Sequence, residues 1–215
     1  GASGNRIRIG TNTITNWGDE TNLVVAFNEQ VLLGRHRLGA LASDAIILIE
    51  NSWATHPNPE IKAAWEKAMA ELSGHSYRII EVPMEQQCLT IDENPRKGKN
   101  MFVLGMLAHI YNRSYERIDE QIAYAFRKKS QEVYEKNIAL LRLGIDWAAA
   151  NLNFRIEVPT NAPKEALVVM NGNEALGMAA LASVIEFCSS YPITPATSFS
   201  HYLARVFTNF AGILH

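Results

Sequence analysis

The chain has 215 residues, with 20 Lys plus Arg against 22 Asp plus Glu and a net charge of −2, which fits one ordinary domain, or one with part of another, and excludes a global pull toward nucleic acid or anionic lipid. Apolar residues make up 47% and charged residues 20%, a globular balance that excludes a disordered chain. No apolar run approaches the ~18–20 residues of a membrane span, and no signal-peptide core follows the N-terminal Gly-Ala-Ser-Gly, so a cytoplasmic protein is expected.

In chain order, Arg6-Ile-Arg-Ile9 alternates and predicts an edge or half-exposed strand. Leu23–Phe27, Ala45–Ile49 and Tyr77–Val82 are short apolar runs that predict strands covered on both faces. Between the last two lies a helix. Asn58 is its N-cap and Pro59 its first residue. Ile61, Ala64, Trp65, Ala68, Met69 and Leu72 build its apolar face, and Gly74 closes it. Strand, helix, strand implies a parallel sheet.

Beyond Pro83 the pattern becomes helical. Met101–Ala108 is apolar nearly all round and predicts a buried helix. Ile118, Ile122 and Phe126 mark a second helix, and Ile138, Leu141, Ile145 and Ala148 a third, over about Gln131–Ala150. Residues 1–150 thus form an α/β domain. Residues 151–166 are a connection broken by Asn and Pro, within which Phe154–Val158 has the composition of a strand.

In residues 167–215 the β/α pattern restarts. Leu167–Met170 predicts a strand, Gly172 a tight turn and Asn173 a helix cap. The helix runs to about Phe187. A last helix carries Phe199, Tyr202, Leu203 and Val206. Val168, Val169, Leu181, Val184, Ile185, Phe199, Leu203 and Phe207 are more apolar surface than so short a piece covers, so it is expected to pack on a further surface. The chain reads as a segment of a larger subunit.

Several chemistries find no support. Cys88 and Cys188 are too far apart for a CxxC site or a cluster and predict buried reduced thiols. Gly172-Asn-Glu-Ala-Leu-Gly177 is not a dinucleotide fingerprint, and Met178 stands where a phosphate-binding lysine would be. No GDG with following asparagines anchors a diphosphate. The six histidines lack metal-ligand spacing. The runs Pro95–Lys99 and Arg127–Lys129 read as solvated charge, the second suited to a helix C-terminus.

Tyr191-Pro192-Ile193-Thr194-Pro195 carries the most chemistry. Prolines fix the backbone on both sides of a hydroxyl. Thr194 is expected at an N-cap with Pro195 at the first helical position. Free N–H groups beside the hydroxyl would accept an anion such as a carboxylate; an ordinary proline-capped helix start is the simpler reading of the same residues.

Asn171–Gly177, followed by Cys188-Ser-Ser-Tyr191-Pro192-Ile193-Thr194-Pro195-Ala-Thr-Ser198, closely resembles the start of the thiamine-pyrimidine-side domain of 2-oxoacid:ferredoxin oxidoreductases. Asn22–Asn28, Ala45–Asn51, Lys99–Gly105 and Arg127–Lys129 resemble that family's gamma domain. The order resembles the alpha subunit of the 2-oxoglutarate type. The resemblance implies a Rossmann-like gamma domain over 1–150 with a mostly parallel sheet and a helical C-terminal part. It implies a linker at 151–166 and the start of a thiamine-diphosphate-binding α/β domain at 167–215. It implies oxidative decarboxylation of a 2-oxoacid to an acyl-CoA, with electrons passed to ferredoxin.

By the same resemblance, thiamine diphosphate, magnesium and a [4Fe–4S] cluster are held mostly by a beta subunit, and none by this chain alone. The partners are that beta subunit, ferredoxin, the 2-oxoacid and CoA, in a dimer of heterodimers. Tyr191, Pro192 and Ile193 lie near the cofactor ring, and Thr194 offers its hydroxyl to the substrate carboxylate. Two departures stand out. No GxGGQG-like turn precedes Arg6, and no glutamate that would activate the aminopyrimidine follows within the chain, so the chain alone is expected to be inactive. The competing readings are a non-catalytic assembly domain of such a complex and a stand-alone nucleotide-binding domain.

Overall fold

The computed structural model describes residues 4–12, 14–94, 97–158, 168–207 and 213–214. The chain divides into two compact units, Gly1–Thr160 and Asn161–His215.

The first unit is built on a parallel sheet of β1 (Thr21–Ala26), β2 (Leu41–Glu50) and β3 (Arg78–Val82), with β2 in the centre. α1 (Glu29–Arg37) joins β1 to β2. A 3-10 turn at Ser52–Thr55 and α2 (Pro59–Ser73) join β2 to β3. α3 (Met84–Cys88), α4 (Lys99–Ile110), α5 (Tyr115–Phe126) and α6 (Gln131–Asn151) complete it.

Side chains alternate across a strand, and β2 shows why its apolar run is continuous. Ile47 and Ile49 enter a cluster with Ala26, Leu32, Ala45 and Leu72, on the side of α1 and α2. Leu48 enters a second cluster with Val82, Met84, Phe102, Met106, Leu140 and Ala148, on the side of α4 and α6. Both faces are covered, as the run implies.

The helix starts follow local chemistry. The Asn28 and Asn58 side chains accept from the N–H groups of Val31 and Glu60, with Pro59 opening α2 as expected. Ser114 and Ser130 cap α5 and α6 in the same way. Gly74 stands at the C-cap of α2, in right-handed geometry. α4 and α6 make the closest approach. A Cβ on Gly105 would lie 2.0 Å from the Leu141 carbonyl oxygen, and one on Gly144 would lie 1.9 Å from that of Phe102. Only glycine fits at either place.

Several expected elements differ. Residues 6–9 form no strand, and both Ile7 and Ile9 are exposed. Alternation cannot make a strand without a ladder partner; Arg6 instead donates to the Gly18 carbonyl at 2.7 Å, and Arg8 to Asn16. Residues 153–158 are extended but not a strand. Their one ladder-like bond to the α4 end is the Ile156 N–H to the Ile110 carbonyl, 2.7 Å. Val168–Met170 is exposed and irregular, with Leu167 outside the described residues.

The second unit contains α7 (Gly172–Ala182), β4 (Phe187–Cys188), α8 (Thr197–Val206) and β5 (Ile213–Leu214), with β4 and β5 paired in parallel. α7 stops at Ala182, short of the expected Phe187. The Ser183 hydroxyl returns to the Ala179 carbonyl, and Val184 has φ +58°, a left-handed turn that a β-branched residue adopts only under strain. Leu203 and Phe207 are fully buried here, whereas Val168, Val169 and Val184 are exposed.

Candidate functional site

The Tyr191–Pro195 corner lies in the second unit, at the surface. Tyr191 is 78% and Ile193 58% exposed, and Pro192 and Thr194 are also exposed. The Thr194–Pro195 peptide bond is cis. Thr194 is not an N-cap: α8 begins at Thr197, with Ala196 before it and no side-chain cap. The reason is a partner 22 residues back in the chain. The Pro195 carbonyl accepts from the Asn173 amide at 2.9 Å and from the Ser198 hydroxyl at 3.3 Å. It is thereby drawn away from the helix, and the Phe199 N–H bonds to Ala196 instead.

The cap of α7 is likewise shifted, by two residues. Asn171, not Asn173, is the N-cap, forming a capping box with Glu174 in which each side chain takes the other's N–H. Gly172 has no positive φ, and a Cβ there would meet nothing within 4 Å, so no tight turn depends on it. Asn173 is thereby free for another job. Its amide donates to both the Pro195 carbonyl and, at 2.6 Å, the Ser198 hydroxyl. This clasp ties the start of α7 to the corner before α8. Gly177 allows the close fit behind it, since a Cβ there would lie 2.5 Å from the Tyr202 ring. A Ser200–Ser190 hydroxyl bond of 2.8 Å fixes the other flank.

The first unit holds a second polar cluster, at the carboxyl end of β2, where parallel sheets present ligand sites. Glu50 has the same strand parity as Leu48 and so points toward α4. It is fully buried. Its two oxygens accept from the N–H groups of Ser52 (3.1 Å) and Glu85 (2.9 Å). Lys99 reaches Glu50 at 3.2 Å and the Glu85 carboxylate at 2.7 Å. Burial pushes the Lys99 ammonium down, but its bonds to Glu85 and Glu50 and their charges outweigh this, and its pKa lies above the ordinary lysine value. Lys99 is therefore not the solvated loop charge expected from sequence, while Pro95 and Arg96 lie outside the described residues. A lysine in the first turn of a helix opposes the dipole and calls for acidic partners, which Glu50 and Glu85 supply.

Cys88 is buried beside this cluster and Cys188 is half-buried. Among the described residues no group of three His, Cys, Asp or Glu is placed to hold a metal, and no helix is long and apolar enough to cross a membrane.

Residues 1–147 match the family described as pyruvate ferredoxin/flavodoxin oxidoreductase. The chain belongs to that family. It is 26% identical over 221 residues to the 2-oxoglutarate oxidoreductase subunit KorA of Mycobacterium tuberculosis, an alignment covering 95% of this chain and 33% of that protein. Its fold is similar, with a TM-score of 0.73 and 25% identity over 95% of this chain, to the 2-oxoglutarate:ferredoxin oxidoreductase of Magnetococcus marinus with 2-oxoglutarate, coenzyme A and succinyl-CoA bound. The chain spans about a third of the length of both relatives. The three-stranded parallel sheet with its helices agrees with the Rossmann-like fold expected for the first unit.

Proposed function

We propose that this chain is part of the alpha-type subunit of a 2-oxoacid:ferredoxin oxidoreductase acting on 2-oxoglutarate. It would work in the cytoplasm with a beta subunit, CoA and ferredoxin, as a dimer of heterodimers. The observation that carries the reading is the Asn173–Pro195–Ser198 clasp. It fixes the Pro195 carbonyl directly after four exposed residues, Tyr191 to Thr194, and covers none of them. Exposed side chains on a fixed backbone suit recognition more than packing.

Tyr191, Pro192 and Ile193 offer an aromatic and apolar flank that fits the ring of thiamine diphosphate. The described residues offer no metal-binding group for its diphosphate, which we assign, with magnesium and the [4Fe–4S] cluster, to the beta subunit. When bound, thiamine diphosphate supplies the electron sink for decarboxylation. This chain's share is then positioning. The Thr194 hydroxyl donates to the oxoacid carboxylate, and the apolar flank keeps water from the ring.

Thr194→Val keeps the shape and removes the hydroxyl. In the complete complex, loss of one charge-assisted hydrogen bond, about 1.5–3 kcal/mol, lowers kcat/KM for the oxoacid roughly ten- to a hundredfold with little change in thiamine affinity. Unchanged kcat/KM would leave the corner a structural turn and favour the assembly-domain reading.

A further inference from the structure

His109 lies near the end of α4, where the chain returns from α6. It is 7% exposed, yet its ring makes no hydrogen bond to any described residue, and its nitrogens are not among the buried unpartnered atoms. The ring lines a groove of about 370 Å³ together with Ala149, Leu152, Asn153, Phe154 and Arg155. Among the described residues no carboxylate lines this groove. Arg155 is exposed and forms no ion pair among the described residues. The Asn153 side-chain oxygen is taken by Arg78, which lies over the Phe154 ring at 4.7 Å. That fixes Asn153 and leaves its amide N–H groups as donors.

A buried histidine normally finds a partner. Here its surroundings are cationic: burial first, and then the charge of Arg155, push the imidazole below its ordinary value. An anion between the two would satisfy both.

We propose that this groove binds the phosphate group of a small molecule, with Arg155 as the charged anchor and His109 and Asn153 as further donors. A phosphate carries more charge than a carboxylate and three oxygens pointing in different directions. The donors come from three separate positions, one on α4 and two beyond α6, which suits a tetrahedral group more than a planar one. Phe154 and Leu152 add apolar wall for the rest of the molecule. The groove is separate from the Glu50–Lys99–Glu85 cluster, since Lys99 and His109 stand at opposite ends of α4, roughly 15 Å apart.

The test is titration of the ¹⁵N-labelled chain with inorganic phosphate and with adenosine monophosphate, at ionic strength held constant with chloride, following the His109 ring and Arg155 Nε signals. A saturable shift of both signals is expected, while the His56 and His201 rings stay unmoved. Arg155 is exposed, so Arg155→Gln preserves the fold, and it should weaken binding about tenfold or more; Arg155→Lys should restore part of it. Tighter binding of the nucleotide than of phosphate identifies the phosphate of a larger molecule as occupant, and equal binding identifies the free ion. Shifts that do not saturate with either probe, or an identical titration in Arg155→Gln, would overturn the proposal.

Discussion

Lys99→Met removes a charge and keeps most of the side chain's volume. What it leaves behind decides the cost. Glu50 is fully buried and would lose its nearest cation, keeping only the N–H groups of Ser52 and Glu85. Breaking a buried ion pair on one side costs about 3–5 kcal/mol. Two retained donors place the expectation at the lower end, about 3 kcal/mol. At roughly 2–4 °C per kcal/mol for a unit of this size, Tm falls by about 6–12 °C. All four tryptophans (17, 53, 65 and 147) lie in the first unit, so urea unfolding followed by tryptophan fluorescence reads this unit alone. Adding Glu50→Gln removes the stranded charge and should recover about half of the loss or more, giving a non-additive cycle. A loss below about 1 kcal/mol, or additive effects in the double variant, would refute the argument that Lys99 compensates a buried carboxylate.

Burial pushes the Cys88 thiol up to about 11, so a disulfide reagent at pH 8 should label Cys188 in the native chain and reach Cys88 only on unfolding; mass mapping of the labelled peptides checks this. Gly144→Ala should cost about 2 kcal/mol or more in urea unfolding, because the new methyl meets the Phe102 backbone and not a side chain that can turn aside. Gly172→Ala, with open space and no positive φ, should be neutral or stabilising by up to about 1 kcal/mol. His109 titrates below its unfolded value, so below ~6.5 the unfolded chain binds the extra proton. Its contribution to stability is therefore present above that pH and lost as pH falls toward the folded value. Arg155→Gln should raise the His109 pKa in NMR titration and weaken this dependence; an unmoved pKa would exclude Arg155 as a cause.

The parts legible in the sequence were those fixed by near neighbours. The run Ala45–Ile49 implied cover on both faces, and Ile47 and Leu48 do enter opposite clusters. Asn58-Pro59 marked a helix start that the structure keeps. The rest depended on distant partners. Arg6–Ile9 has a strand's alternation and no neighbour to pair with. Thr194 has the local pattern of an N-cap, but Asn173, far back in the chain, takes the Pro195 carbonyl and moves the helix start. Lys99 beside Lys97 and Gly98 looks like loop charge until β2 and α3 bring Glu50 and Glu85 to it. Only the cap of α7 was present locally and placed two residues too late, at Asn173: Asn171 and Glu174 have the spacing of a capping box.

The α4–α6 crossing is reciprocal. Gly105 faces the carbonyl of Leu141, and Gly144 faces that of Phe102, so the helices run antiparallel and each supplies one glycine and one acceptor. Where a Cβ would sit about 2 Å from the oxygen, the second α-hydrogen of glycine points along the same line. The carbon-to-oxygen separation is then at most ~3.5 Å, the range of a Cα–H···O hydrogen bond. The glycines thus do more than leave room: each turns the backbone itself into a weak donor. The centre of this helix pair is held by two polar contacts between main chains, in register, with apolar side chains packed on either side of them. Such a join specifies the sliding position of one helix on the other, which a greasy seam of leucines would leave less well defined.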